Sequence, residues 1–233
     1  MKNIILTGAT GMVGSLVLDN CLKRNEINKI SVITRRKTGI SHPKLSEILH
    51  DDFLDYTNIQ EYMRNQDICI YCLGVYTGRV TAQKFREITV DYTKVFAETL
   101  KLINKKTTFC FLSGQGADLK EKSFMMFARD KGAAENILLN LGFEKIYIFR
   151  PGYIYPNTPR KEPNFTYKFT RVLYKPFLSK IYPNIGILSD DLAKAMVEIG
   201  LEGGEKTIYE NKDIRQHSVL LSEKIRRTSY DKH

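Results

Sequence analysis

The stretch that most constrains this chain is "NIILTGATGMVGSLVLDN", residues 3–20. An apolar run, "NIILT" at 3–7, ends in Gly8, Gly11 and Gly14, spaced three apart, and a helix-period segment over 12–24 follows. In a strand–loop–helix context each glycine has a job. Gly8 permits a tight turn, Gly11 lets the backbone approach a pyrophosphate, and Gly14 lets the helix pack close to the sheet. A helix beginning there presents unpaired N–H groups to an anion, and Thr10, Met12 and Val13 are the loop residues expected to contact it as well. A Walker loop would end Gly-Lys-Ser/Thr, whereas this one ends Gly14-Ser15. The bland alternative is a glycine turn that holds nothing.

The rest of the chain repeats that beginning. Apolar runs at 29–34, 45–50, 68–74, 107–113 and 145–151 read as strands. Helical segments near 57–64, 82–103 and 123–141 separate the later ones. Expected inward positions are Met12, Leu16, Val17 and Leu22 on the first helix, and Phe85, Ile88, Val95, Phe96, Leu100 and Ile103 on the long one. This rhythm predicts an α/β fold, a parallel sheet with helices on both faces. After residue 152 the pattern changes. Residues 153–183, rich in Tyr, Phe, Pro and Lys/Arg, read as a small cap over the carboxyl ends of the strands. Its basic part, 160–180, is either a solvated surface or a contact for an acidic partner or anionic substrate. A helix over 189–201 with Ser189 or Asp190 as N-cap, and a last strand at 206–211, complete the series. The chain of 233 residues, 42% hydrophobic, supports one core. We read one domain over 1–211, with a core to 152 and the cap and late elements beyond, then a polar basic tail from about 212, frayed or a short helix.

Composition narrows the function classes. The net charge of +10 favours phosphate-bearing ligands or acidic partners, but no aromatic–basic interleaving of a nucleic-acid module is present. The longest apolar run, 68–76, is too short to span a bilayer, and Met1-Lys2 leads directly into the glycine loop without space for a signal peptide. The expectation is a soluble, cytoplasmic protein. Cys69 and Cys72 form a C-x-x-C, which is redox-active or metal-binding in other contexts. On a strand, residues three apart face opposite sides, so reduced core cysteines are expected. His42, His50, His217 and His233 lack ligand spacing, and no metal is expected.

The second strand bears on cofactor choice. NAD-specific sites commonly place an acid at its end to bind the ribose hydroxyls. Here the end reads Thr34-Arg35-Arg36-Lys37. Guanidinium groups of Arg35 and Arg36 can hold a 2′-phosphate through paired hydrogen bonds, which favours NADP(H) over NAD(H). The alternative is a solvated basic turn.

These motifs resemble a family. "TGATGMVG" is similar to the T-G-x-x-G-x-x-G loop of extended and atypical short-chain dehydrogenases/reductases. "HDDFLD" at 50–55 resembles their adenine clasp, with Asp52 and Phe53 in the matching places. "DICIYCLG", ending at Leu73 and Gly74, resembles the fourth strand, and "FRPG", with Pro151 and Gly152, the turn after the sixth. "SDDLAKAM" at 189–196 resembles a late helix of the same families. A narrower set, "YCLGVYTGR", "FLSGQGAD", "RDKGAAE", "FRPGYIYP" and "YENKDI", is similar to the Tat-interacting-protein branch of atypical members; the likeness covers about residues 1–215. It implies a Rossmann-type, doubly wound parallel sheet, a bound nicotinamide dinucleotide, and contacts from the residues just named.

The resemblance breaks where chemistry is expected. Working members use Tyr-x-x-x-Lys on one helix face, so that the lysine lowers the phenol's pKa and binds the nicotinamide ribose, plus a Ser that holds the substrate oxygen. The matching stretch here is "FARDK", 127–131: Lys131 stands in place, but Phe127 occupies the Tyr position and has no proton to give. Such acid–base help is worth about 10²–10⁴-fold. The serine region reads Ser113-Gly114, the usual serine falling on Gly114 by the nearest register, and the family's helical Asn falls on Thr89. Tyr76 and Tyr153 are the phenols expected near the nicotinamide end, as substitute proton donors or as packing; Asp190 and Asp191 read as helix-capping. Two outcomes stand open: an NADPH-dependent oxidoreductase on a small carbonyl-type compound with a nonstandard donor, or a non-catalytic NADPH-sensing regulator or interaction protein.

Overall fold

A computed structural model describes residues 1–156 and 186–230, with side chains as far as 220. The order is β1 (Lys2–Thr7), α1 (Met12–Leu22), β2 (Ile27–Thr34), β3 (Leu45–Leu49), a 3₁₀ helix (Thr57–Met63) and β4 (Ile68–Tyr71). Then come α2 (Ala82–Arg86), a π turn (Glu87–Asp91), α3 (Tyr92–Ile103), β5 (Thr108–Leu112), α4 (Met126–Asn140) and β6 (Lys145–Arg150). β7 (Tyr153–Tyr155), β8 (Gly186–Leu188), α5 (Ser189–Glu202), β9 (Ile208–Glu210) and α6 (Asn211–Tyr230) follow.

Seven strands form one sheet in the order β3-β2-β1-β4-β5-β6-β9, every pairing parallel. The chain winds outward from β1 to β3, then crosses back to start the other half at β4. Between β1 and β4 the connections leave in opposite directions, so a crevice opens beyond their carboxyl ends, where Thr7 lies opposite Tyr71. Strand alternation builds a core on each face. Ile4, Leu6, Val32, Ile70, Cys110 and Phe149 pack with α1 and α5 on one side. Ile5, Ile33, Tyr71, Phe109, Phe111 and Ile148 pack with α3, α4 and the 3₁₀ helix on the other. Helices therefore cover both faces, and the Rossmann-type doubly wound sheet expected from the motifs is the fold observed.

Several local expectations need correction. The long helix over 82–103 is interrupted by the π turn, and Thr93 Oγ1 at the start of α3 donates to Thr89 O within the turn at 2.9 Å. The extra residue rotates the helix face, so Phe85, Phe96 and Leu100 are buried as expected, while Thr89, Val90 and Thr93 are buried where Ile88, Val95 and Ile103 are only half-buried. On α1 the fully buried positions are Val17, Leu18 and Cys21, with Met12, Leu16 and Leu22 at the margin. Neither Ser189 nor Asp190 caps α5. β8 runs directly into it, so Leu188 is the extended N-cap, Ser189 is buried as the first helical residue, and Asp190 pairs with Lys194 at 2.5 Å. The tail from 212 belongs to α6, a 20-residue helix with Ile214 and Ser218 buried. Of the cap, β7 and β8 form a separate two-stranded parallel sheet. Residues 157–185, including the basic 160–180 stretch, lie outside the described residues.

Candidate functional site

The three glycines divide into two roles. Gly8 has a φ of +73°, and a Cβ there would fall 2.4 Å from Cys72 O, so the turn lies directly against the exit of β4. Gly8 O accepts from Gly11 N at 2.8 Å, and a Cβ on Gly14 would fall 2.1 Å from the same oxygen. Gly8 and Gly14 are thus locked together by packing. Gly11 is different: its φ of −84° and ψ of 172° suit any residue, and a Cβ would meet only Gly8 O, at 3.1 Å. It is the N-cap of α1 and offers no side chain to the first-turn N–H groups, and the first turn contains no acidic residue. That arrangement leaves the amides and the positive end of the helix dipole to an anion. Thr10 and Met12 are half-buried beside the opening; the Val13 side chain turns into the core. Thr7, one residue before the turn, has a buried hydroxyl with no partner among the described residues.

Around this turn the strand ends carry the other expected residues. Arg35 and Arg36 are exposed just past β2, and Thr34 Oγ1 donates to Arg36 O at 2.9 Å. Glu47 reaches from β3 to accept from Thr38 N at 2.6 Å, which anchors the loop bearing the arginines and holds that carboxyl below its usual range. Past β3, Asp52 is exposed and accepts from Leu54 N at 2.9 Å. Phe53 is buried and stacks on Tyr92, ring centroids 5.5 Å apart, so its ring belongs to the core beneath the clasp and not to its lining. Past β4, Leu73 packs on the second core, and Gly74 is exposed with open space about its Cα.

The nicotinamide end, as the motifs place it, gathers α4 and the exits of β5 and β6. Lys131 is buried on α4; its Nζ donates to Leu112 O at 3.0 Å and lies 5.0 Å over the Phe111 ring. Burial lowers its pKa to about 8, against the opposing pull of Glu135 and Cys72. Ser113 is buried, its N donates to Phe149 O at 2.8 Å, and its Oγ donates to Glu135 Oε1. Gly114 faces Phe127 closely: a Cβ on Gly114 would lie 2.5 Å from the tip of that ring. The two departures from the family pattern are therefore one packing unit, the ring filling space that a serine would need. Pro151 O accepts from Gln115 N at 2.8 Å, and Gly152 N donates to Asn211 Oδ1 at 2.9 Å, which pins the turn after β6 to the start of α6. Tyr76 is half-buried past β4, and Tyr153 on β7 meets Tyr155 edge-on at 4.6 Å. Cys69 and Cys72 are free thiols whose pKa values are raised by burial.

Sequence reasoning missed the charged group under this site. Arg150 binds Glu135 through Nε (3.0 and 3.1 Å) and Nη2 (2.5 Å), and Glu210 through Nη1 (2.9 Å). A signal was present: Glu135 stands four residues after Lys131, on the same helical face.

With the crevice and its residues described, the class of protein follows: the chain belongs to the NAD dependent epimerase/dehydratase family, whose model matches residues 4–140. It is 28% identical over 165 residues to Protein HTATIP2 of Rattus norvegicus, a match spanning 70% of this chain and 66% of that protein. The mitochondrial protein fmp52 of Emericella nidulans is 29% identical over 238 residues, spanning 93% of this chain and 99% of the relative. That of Aspergillus niger is 31% identical over 162 residues, 66% and 67% of the two chains. The likeness to the Tat-interacting-protein branch read from the motifs therefore holds. Among solved structures, the Bordetella bronchiseptica enzyme WbmH in complex with NAD+ superposes with a TM-score of 0.66 at 16% identity, covering 90% of this chain and 74% of that one. A short chain dehydrogenase family protein from Francisella tularensis gives 0.63 at 15% identity, covering 91% and 98%. At these identities the structures speak for the fold.

Proposed function

We propose that this chain binds NADP(H) in the β1–β4 crevice and acts as an oxidoreductase on a small carbonyl-type substrate through a nonstandard active site. The observation that carries the reading is the opening of α1: an uncapped helix N-terminus beside Gly11, with Arg35 and Arg36 exposed at the end of the neighbouring strand. The first-turn amides would hold the pyrophosphate, the guanidinium groups the 2′-phosphate, and Asp52 and the backbone at Phe53 the adenine. Leu73, Gly74, Pro151 and Gly152 would border the nicotinamide half, and Lys131 would bind its ribose. The nicotinamide ring, when bound, supplies or accepts a hydride; the chain must orient the substrate oxygen and move one proton to or from it. Tyr76 and Tyr153 would be the phenols at that end, and Ser113 the hydroxyl below it.

A second reading has its own observation. The Phe127 ring against Gly114 removes both family groups that would touch a substrate oxygen, which favours a nucleotide-sensing protein without turnover. One experiment separates them. NADPH oxidation is followed against a panel of aldehydes, ketones and quinones, with calorimetric binding of NADPH and NADH alongside. Turnover abolished by Tyr76→Phe or Tyr153→Phe supports the enzyme; tight NADPH binding without turnover supports the sensor; no binding of either nucleotide overturns both.

A further inference from the structure

Four polar residues from α4, β6, β9 and the exit of β5 meet below the candidate site, and the carboxylate of one of them, Glu135, holds two of the others. Glu135 is fully buried on α4. Its Oε1 accepts from Ser113 Oγ and from Arg150 Nε at 3.0 Å, while its Oε2 accepts from Arg150 Nη2 at 2.5 Å. Arg150 in turn reaches Glu210 on β9 at 2.9 Å. A carboxylate this far from water is costly unless a cation and several hydrogen bonds satisfy it, and a well-packed apolar pair could replace such an ion pair without loss of stability. The charge is therefore informative when it has a neighbour to act on. That neighbour is Lys131, one helical turn back on the same face. Its nitrogen donates to a carbonyl, Leu112 O, and not to a carboxylate. Burial pushes the ammonium toward its neutral form; Glu135 opposes that, and the Cys72 thiol at the end of β4 is the other titratable group facing it.

We propose that Glu135 is a positioning residue of the candidate site: clamped by Arg150, its carboxylate keeps Lys131 charged and Ser113 oriented where the ribose of a nicotinamide dinucleotide would lie. The ligand rests on the reading above; the charge coupling between Glu135 and Lys131 does not need it. Ser113 then is not available as a donor to a ligand, because its proton is committed to Glu135, and its oxygen lone pairs are what remain for another donor.

The test has two arms. In the first, lysine side chains of the nucleotide-free protein are labelled with ¹³C at Cε and titrated by NMR, Lys131→Met identifying the Lys131 signal. The wild type should titrate at about 8. Glu135→Gln should lower that midpoint by about one unit, a tenfold loss of proton affinity, since a full charge one helical turn away in a protein interior acts at that scale even when partly offset. Glu135→Asp, which keeps the charge but withdraws it, should fall between the two. In the second arm, NADPH affinity is read from nucleotide fluorescence at pH 6 and pH 8.5. Glu135→Gln should lose about tenfold more affinity than the wild type across that interval, and Lys131→Met should lose the pH dependence. An unmoved Lys131 midpoint in the Gln variant overturns the coupling. If Glu135→Gln does not fold, an unmoved midpoint in the Asp variant does the same. A shifted midpoint with pH-independent NADPH affinity overturns the role at the ribose while the cofactor reading survives. Failure of the wild type to bind either nucleotide overturns that reading, and with it the role at the ribose.

Discussion

Replacing Gly14 and Gly11 separately with alanine distinguishes a glycine that packs from a glycine that faces a ligand. A Cβ on Gly14 would sit 2.1 Å from Gly8 O, 2.6 Å from Gly8 C and 3.1 Å from Ala9 N, where ordinary contact begins near 3.4 Å. Something must therefore move by more than 1 Å. Gly8 cannot yield, because it backs onto the Cys72–Leu73 peptide and its oxygen is bonded to Gly11 N. The helix must retreat instead, and its buried face, Val13, Val17, Leu18 and Cys21, retreats with it. Overpacking of this kind costs about 1–3 kcal/mol. For a chain of this size each kcal/mol moves the unfolding midpoint by about 2–4 °C, so Gly14→Ala should melt about 2–12 °C lower by circular dichroism. Gly11→Ala meets one atom at 3.1 Å in a backbone conformation open to alanine, and its midpoint should stay within about 2 °C. Its methyl group, however, would stand on the anion side of the helix start. Calorimetry should show NADPH binding weakened at least tenfold, about 1.4 kcal/mol. A Gly14→Ala protein as stable as the wild type would refute the packing geometry. A Gly11→Ala protein that binds NADPH as before would refute the placement of the phosphates.

Three further outcomes follow from the same geometry. Arg35→Ala should weaken NADPH binding far more than NADH binding, and equal losses for both would reject Arg35 as the 2′-phosphate ligand. Lys131 titrates at about 8 when folded against 10.5 as its ordinary value. The unfolded chain therefore binds more protons between those values, and stability should rise with pH there. Urea unfolding should show a gain of about 2 kcal/mol from pH 7.5 to 9.5 in the wild type relative to Lys131→Met, and a gain of the same size in both would sink the assignment. Gly114→Ala should destabilise by about 1 kcal/mol because its methyl meets the Phe127 ring tip, and Phe127→Ala should suppress that penalty in a double-mutant cycle; additive effects would show that the two do not touch.

Much of the fold was legible along the chain because its cause is periodic. Strands buried on both faces read as unbroken apolar runs, and the helices between them carry stripes, so alternation alone implies a parallel sheet covered on both sides. The loop from Gly8 to Gly14 was legible because glycine tolerates contacts that no other residue can make. Breaks in periodicity were not. The π turn at Glu87–Asp91 shifts the buried face of a helix whose sequence reads as continuous, and α5 starts from a strand residue, Leu188, in place of a capping side chain. Nor could spacing show that Phe53 faces the core, since its place in a motif says nothing of the ring's direction.

Sequence by itself determined the class of sheet, the glycine turn at its switch point, the basic end of β2 and the missing phenol at Phe127, all of them local in the chain. Only tertiary structure decided that Gly114 and Phe127 form one contact, and that Glu135 joins Ser113 to an arginine fifteen residues away and, through it, to Glu210 sixty residues beyond that. Local patterns report which face of an element is buried; which charges are enclosed together depends on how distant elements close over one another and exclude water.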